Sequence, residues 1–370
     1  MVRTDTGPFI TDLRVRRTIK LEPPRLVCEE LPTNASMRQR VAEHRTTIER
    51  IMHGHDGRFL VIAGPCSIFN KHGTLEFAAA FKRLAEQVRD TMFLVMRCPP
   101  DKPRTVSGPG NWEGFLHEPE EVGVHDSVAG IRRSREILVE LAALNIPIAI
   151  ELLDARRTQY FDDLLSMSWT GARAVEYGAL RRQASGLSWP VAFKNRTDGD
   201  LKAAFDAIQS ANQPNYYDGM DEDGDTIVVD GAGNPNACLI MRGSGTAAGR
   251  NFDRTHVEAA QRRLRERKLL DYVLVDSAHG NSLDDKGKKD PRRQLHVFES
   301  TLVQRLEGNL RLGAMIEAYL KEGRQDVVPG TRLTSLPYDI SPTDPTISIG
   351  QFTDLILLAH ERLQTKAVAA

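Results

Sequence analysis

No Cys-x-x-Cys pair occurs in this chain, and its four cysteines (Cys28, Cys66, Cys98, Cys238) stand far apart. The spacing argues against a disulfide framework and fits reduced thiols in the cytosol. An excess of charge of either sign is also missing: 49 Lys and Arg face 50 Asp and Glu, a formal net charge of −1. The chain therefore has no general pull toward nucleic acid or membrane, and any affinity for anions must come from locally placed Arg and Lys. No apolar run reaches transmembrane length, and the stretch beginning Met1-Val-Arg-Thr-Asp5 has no signal-peptide core. We expect a soluble cytoplasmic protein. No Gly-x-Gly-x-x-Gly follows the first strand-like run, which counts against a doubly wound open sheet, the alternative fold.

What is present is an alternation of strands and helices. Phe59 to Ala63 is an unbroken apolar run that suits a strand buried on both faces, and Gly64-Pro65 stops it, leaving Cys66 at its C-terminal end. Strand-like runs then begin near 92, 146, 168, 190, 237, 272 and 312, mostly separated by helical patterns. With the run at 59 this is the rhythm of an α/β (β/α)8 TIM barrel. The barrel would occupy residues 58–370, after an N-terminal arm and helix over 1–57. Asn34 to Ser36 can cap that helix, whose stripe Met37, Val41, Ile48, Ile51, Met52 either plugs the barrel or packs on a neighbouring subunit. Thr226–Val229 and Ala237–Met241, flanking Asp230-Gly-Ala-Gly-Asn-Pro-Asn236, predict an inserted β-hairpin at about 224–242.

In a barrel of this kind the C-terminal strand ends share one rim, where catalytic residues sit. The strands here close on Cys66, Arg97, Glu151, Arg173, Lys194, Arg242, His279 and Glu317. Cys66, His279, Glu317 and the later Asp344 offer a thiolate, an imidazole and two carboxylates. Such a set suits a borderline divalent metal (Mn, Fe, Co or Zn) better than Ca or Mg. Each residue alone has an ordinary reading too: Cys66 as a buried structural thiol, His279 as a core residue, Asp344 as a cap. The second group is basic: Arg97, Lys102, Arg104, Arg173, Lys194 and Arg242. Singly they read as salt-bridge partners for Glu151, Asp154 or Asp198. Together they predict a site for a substrate carrying several negative charges, since clustered cations are costly without anions.

The ordered motifs resemble the type I 3-deoxy-7-phosphoheptulonate (DAHP) synthase family. They are Gly64-Pro-Cys-Ser67, Lys102-Pro-Arg-Thr105, Gly171-Ala-Arg173, Ala184-Ser-Gly-Leu-Ser188, Phe193-Lys-Asn195, Arg242-Gly243, His279-Gly-Asn-Ser282, Glu317 and Thr343-Asp344. The resemblance implies condensation of phosphoenolpyruvate with erythrose 4-phosphate, the first step of the shikimate pathway. It implies that Cys66, His279, Glu317 and Asp344 hold a divalent metal, Mn2+ first, with Fe2+, Co2+ or Zn2+ as alternatives. Arg97, Arg173, Lys194 and Arg242 would clamp phosphoenolpyruvate, and Arg104, Thr105 and Ser188 would take the aldose phosphate. Glu151 is placed with the substrate-binding residues. Lys102, Cys66 and His279 are the catalytic candidates. Neighbouring cations are expected to lower the pKa of Lys102, making it a proton donor to the new alkoxide. The family usually forms dimers or tetramers, so a homodimer or homotetramer is expected.

The sequence departs from the family pattern in three places. Ala174-Val-Glu-Tyr177 stands where Thr-Thr-Glu-Ser is usual, and Val106-Ser-Gly-Pro-Gly-Asn-Trp-Glu-Gly114 replaces a shorter run. Both flank the acceptor end, which keeps open a relative that joins phosphoenolpyruvate to another phosphorylated aldehyde. The third, Tyr216 to Gly224, differs from a segment that helps bind feedback amino acids, so such regulation is not implied. A non-catalytic regulatory paralogue is a further alternative, opposed by the complete set of metal-ligand candidates.

Overall fold

The computed structural model describes residues 12–106, 111–246 and 249–369. The start of the expected arm (1–11) and residues 107–110 of the altered loop lie outside them. Two helices come first. Pro24–Glu30 (α1) begins with proline, whose fixed φ suits a first helical turn. Ala35–Met52 (α2) is capped by Asn34, whose side chain accepts the amide of Met37 at 2.9 Å.

The barrel follows. Its strands are β1 (Phe59–Gly64), β2 (Met92–Arg97), β3 (Ile148–Glu151), β4 (Met167–Thr170) and β5 (Val191–Lys194). A hairpin of β6 (Asn215–Met220) and β7 (Thr226–Gly231) interrupts the series before β8 (Ala237–Met241), β9 (Val273–Asp276) and β10 (Leu312–Tyr319). The eight strands other than the hairpin pair in parallel, and β1 pairs with β10 to close the cylinder. A two-residue strand, β11 (Ile347–Ser348), pairs in parallel with the end of β10. The outer ring comprises α3 (Lys71–Gln87), α4 (Ser127–Ala143), α5 (Gly178–Gln183), α6 (Lys202–Ala211), α7 (Arg254–Glu266), α8 (Arg293–Leu306) and α9 (Ile349–Ala369).

Period-two alternation divides the core. Phe59, Val61 and Ala63 face the helices, whereas Leu60 and Ile62 point inward with Val95, Ala149, Met167, Ala192, Ile240, Leu274 and Met315. Ile48, Ile51 and Met52 of α2 join that inner cluster, so the helix plugs the N-terminal end of the barrel. Arg45 ties it there, donating from Nε to the Leu165 carbonyl at 2.8 Å. The plug expected for this helix is realised.

The hairpin is a correction. β7 pairs antiparallel with β6, from Asn215 opposite Gly231 to Met220 opposite Thr226, and the turn is Asp221–Asp225. Ala237–Met241 is not its second arm but a barrel strand between β5 and β9. All five of its residues are buried, which suits a parallel strand covered on both faces, while β7 alternates between exposed and half-buried positions up to Asp230. The turn touches the N-terminal segment, where Arg25 pairs with Asp223 at 2.8 Å.

Candidate active site

The geometry of the parallel barrel delivers one functional side chain per strand to the C-terminal rim. A cavity of about 440 Å3 opens there, lined by Lys102, Arg104, Thr105, Glu151, Arg173, Lys194, Arg242, His279 and Asp344 among others. Arg97, Cys66 and Glu317 lie buried in the same rim cluster, each 2% exposed or less.

One ligand atom each from Cys66, Glu317 and Asp344 lies within 4.8 Å of the others, close enough to hold one metal ion. Glu317 is anchored by Gln294, which donates to its carbonyl (3.1 Å) and accepts its amide (2.8 Å). Its Oε1 is buried beside Arg97 Nη2 at 2.9 Å but receives no hydrogen bond. His279 stands slightly apart, with Nε2 3.8 Å from both Glu317 Oε1 and Asp344 Oδ2. A φ of +56° turns its side chain toward them. Its Nδ1 lies 2.9 Å from Asp276 Oδ2 without hydrogen-bond geometry, and the adjacent carboxylate favours a proton on that nitrogen, which leaves the Nε2 lone pair toward Glu317 and Asp344. Burial pushes the imidazole pKa down to about 4 despite the opposing pull of Asp276, so the ring is neutral at pH 7.

The charges around this group explain one another. Burial and Glu317 push the Cys66 thiol up, only partly offset by Lys102, whose Nζ approaches Sγ at 2.8 Å. A cation is the natural means of turning this thiol into a thiolate. Burial works against ionisation of Asp344, yet Lys102 and Lys289 hold it well below the usual carboxylate range. Lys102 itself is a correction. Burial alone would lower its pKa, but Asp344, Cys66 and Glu317 outweigh burial and raise it. Its close neighbours are the Cys66 sulfur and the Asp344 carboxylate and not the expected cations, so it is a firmly protonated ammonium.

The basic wall is also built with care. Asp276, 0% exposed, accepts from Lys194 Nζ at 2.7 Å, and the Arg97 guanidinium and Lys194 lie over the Trp169 ring at 5.2 and 5.9 Å. Arg97 Nη1 is buried without a hydrogen-bond partner. Asn195 accepts the Arg242 amide at 2.8 Å and donates to the Gly243 carbonyl at 3.0 Å, fixing the base of that arginine. Gly171 has a steric reason: a Cβ there would come within 1.9 Å of Glu151 Oε1.

A sequence model described as the DAHP synthetase I family matches residues 33–355. The Tyr-sensitive phospho-2-dehydro-3-deoxyheptonate aldolase of Escherichia coli K12 is 38% identical over 361 residues, covering 97% of this chain and 96% of that protein. The corresponding Tyr-sensitive protein of Salmonella typhimurium is 37% identical over 349 residues, covering 94% of each. The chain belongs to the DAHP synthetase I family. Among solved structures, the phospho-2-dehydro-3-deoxyheptonate aldolase of Francisella tularensis SCHU S4 matches with a TM-score of 0.88 and 31% identity, over 95% of this chain and 99% of that one. The protein is thus an enzyme of this family on a (β/α)8 barrel.

Within that family frame, the rim gathers every sequence-predicted site residue except Ser188. That serine is exposed and precedes β5, at the N-terminal end of the strand, and it does not line the cavity. A residue entering a barrel strand sits at the rim opposite the one where the strand ends, so its assignment to the aldose phosphate is withdrawn. Thr105, in contrast, faces the cavity and accepts from Arg173 Nε at 2.8 Å. Sequence reasoning missed Asp276, Gln294 and Lys289. Asp276 carried a usable signal, an acid closing β9 three residues before His279. Gln294, on α8, and Lys289, in a loop, carried none.

Proposed function

We propose that this enzyme condenses phosphoenolpyruvate with erythrose 4-phosphate, giving 3-deoxy-D-arabino-heptulosonate 7-phosphate and inorganic phosphate, and so opens the route to aromatic amino acids. We further propose a divalent metal, Mn2+ first, held by Cys66, His279, Glu317 and Asp344. The observation that carries the reading is the thiol–carboxylate trio, buried at Cys66 and Glu317 and half-buried at Asp344, adjoining a cation-lined cavity in a chain of this family. The donor set suits a borderline divalent ion, and the hydrogen-bond-free Oε1 of Glu317 supports it. When bound, the ion would supply Lewis acidity to the acceptor's aldehyde oxygen.

The residues divide the remaining work. Arg97, Arg173, Lys194 and Arg242 neutralise the phosphate and carboxylate of phosphoenolpyruvate and hold its C3 toward the acceptor. Arg104 and Thr105, at the outer end of the cavity, suit the acceptor's phosphate. As C3 bonds to the aldehyde carbon, Lys102 donates its proton to the new alkoxide. The C2=C3 electron pair forms that bond and leaves positive charge at C2; water adds there and gives up a proton, and the C2 hemiketal phosphate then expels inorganic phosphate. A homodimer or homotetramer belongs to the proposal and is checked by light scattering.

The test follows loss of enolpyruvyl absorbance alongside phosphate release, with Cys66→Ala as control. Metal-dependent turnover absent from the control is the expected result. Binding of metal and phosphoenolpyruvate without turnover of erythrose 4-phosphate would instead favour a different phosphorylated aldehyde. Val106 and Asn111 of the altered loop line the cavity and give that second reading its footing.

A further inference from the structure

Between His279 and α8 the chain makes a tight excursion whose backbone is fully determined. Leu283 and Lys289 face each other in an isolated antiparallel bridge. The Asp284 carboxylate accepts the amides of Lys286 at 2.9 Å and Lys288 at 2.8 Å, and Gly287 takes the turn at φ +75°. The Asp290 amide then closes on the Ser282 carbonyl at 3.0 Å. This frame presents Lys289 at the cavity wall with its backbone fixed and its side chain 34% exposed. Its Nζ lies 2.6 Å from Asp344 Oδ2, closer than Lys102 Nζ at 3.5 Å or His279 Nε2 at 3.8 Å.

One carboxylate oxygen is therefore shared by two ammonium groups and also faces the imidazole of the proposed metal site. An ion that takes Asp344 must bring a second and third positive charge beside Lys289, at a range far shorter than the screening length of salt. Lys102 is constrained by Cys66 as well, whereas among the described residues Asp344 is the short contact that holds the Lys289 amine. We propose that Lys289 is a positioning residue that competes with the divalent ion for Asp344. It orients the carboxylate in the metal-free protein and, by its charge, limits how tightly the metal binds. The inference rests on the metal reading above.

Its sign separates it from a merely structural role. A lysine that only propped up Asp344 would, on removal, loosen the ligand and weaken metal binding; a competitor would, on removal, tighten it. The experiment titrates metal-stripped protein with Co2+ and follows the thiolate-to-cobalt absorption in the near ultraviolet, using wild type, Lys289→Met and Lys289→Arg, with Cys66→Ala as the blank. The Met variant is expected to bind Co2+ about tenfold more tightly or better, because one like charge is removed from beside the ion, with slower release to a chelator. The Arg variant keeps the charge and stays near wild type. Unchanged or weaker binding in the Met variant overturns the proposal while leaving the metal site standing. Absence of the band from wild type and both Lys289 variants overturns the metal reading, and the proposal with it.

Discussion

Asp276→Asn is the most informative single change, because it removes one charge and almost no volume. Asp276 is 0% exposed and serves two partners, Lys194 Nζ at 2.7 Å and His279 Nδ1 at 2.9 Å. Burial by itself would favour the neutral acid, but His279 and Lys194 hold the carboxyl well below its ordinary value, so the native state contains an anion and an ammonium paired out of water. Breaking a pair of this kind from one side strands the other charge and costs about 3–5 kcal/mol. Replacing both partners removes the stranded charge, so Lys194→Met/Asp276→Asn should recover much of the loss. The coupling should exceed about 1 kcal/mol, within the range for residues in direct contact. Urea denaturation of substrate-free protein, read by tryptophan fluorescence, gives the four corners of the cycle. Asp276→Asn also removes the carboxylate charge 2.9 Å from His279 Nδ1 and leaves a neutral amide beside the ring, so Co2+ affinity should fall by about 10–100-fold. A single variant within about 1 kcal/mol of wild type, or a double variant no better than the sum of the singles, would refute the buried-pair argument.

Three further outcomes can be checked. Gly171→Ala places a methyl group within 1.9 Å of Glu151 Oε1 and must displace that carboxylate, so kcat/KM for phosphoenolpyruvate should drop on the order of a hundredfold with unchanged circular dichroism. Ile48→Ala empties the centre of the helix that closes the barrel floor, where Ile48 is 0% exposed; the expected loss is about 2–5 kcal/mol in chemical denaturation. Burial drives the His44 pKa down to about 4 from an ordinary 6.5, so the neutral ring contributes stability that is present above pH 6.5 and lost as pH falls toward 4. His44→Gln should flatten that acid limb by up to about 3 kcal/mol, measured as the pH dependence of the urea midpoint in variant against wild type.

The sequence by itself determined the barrel and most of the rim. Runs such as Phe59–Ala63 and Leu312–Ile316 are apolar without alternation because both faces of a parallel strand are covered, and that pattern survives in one dimension. Strand ends are equally legible: a charge or thiol closing such a run falls at the rim, as with Cys66, Arg97 and Lys194. Partnership was not legible. Ala237–Met241 fits the barrel rhythm and, with turn-forming residues before it, also a hairpin arm; its pairing with β5 and β9 leaves only the barrel strand. Ser188 shared a motif with site residues yet precedes its strand, and direction along the barrel axis appears only once the strands are aligned. The charge environment of Lys102 was read from nearby basic residues in the chain, whereas Cys66, Glu317 and Asp344 arrive from distant positions and set it the other way. Electrostatic energy depends on separation in space, and the closed barrel sets those separations.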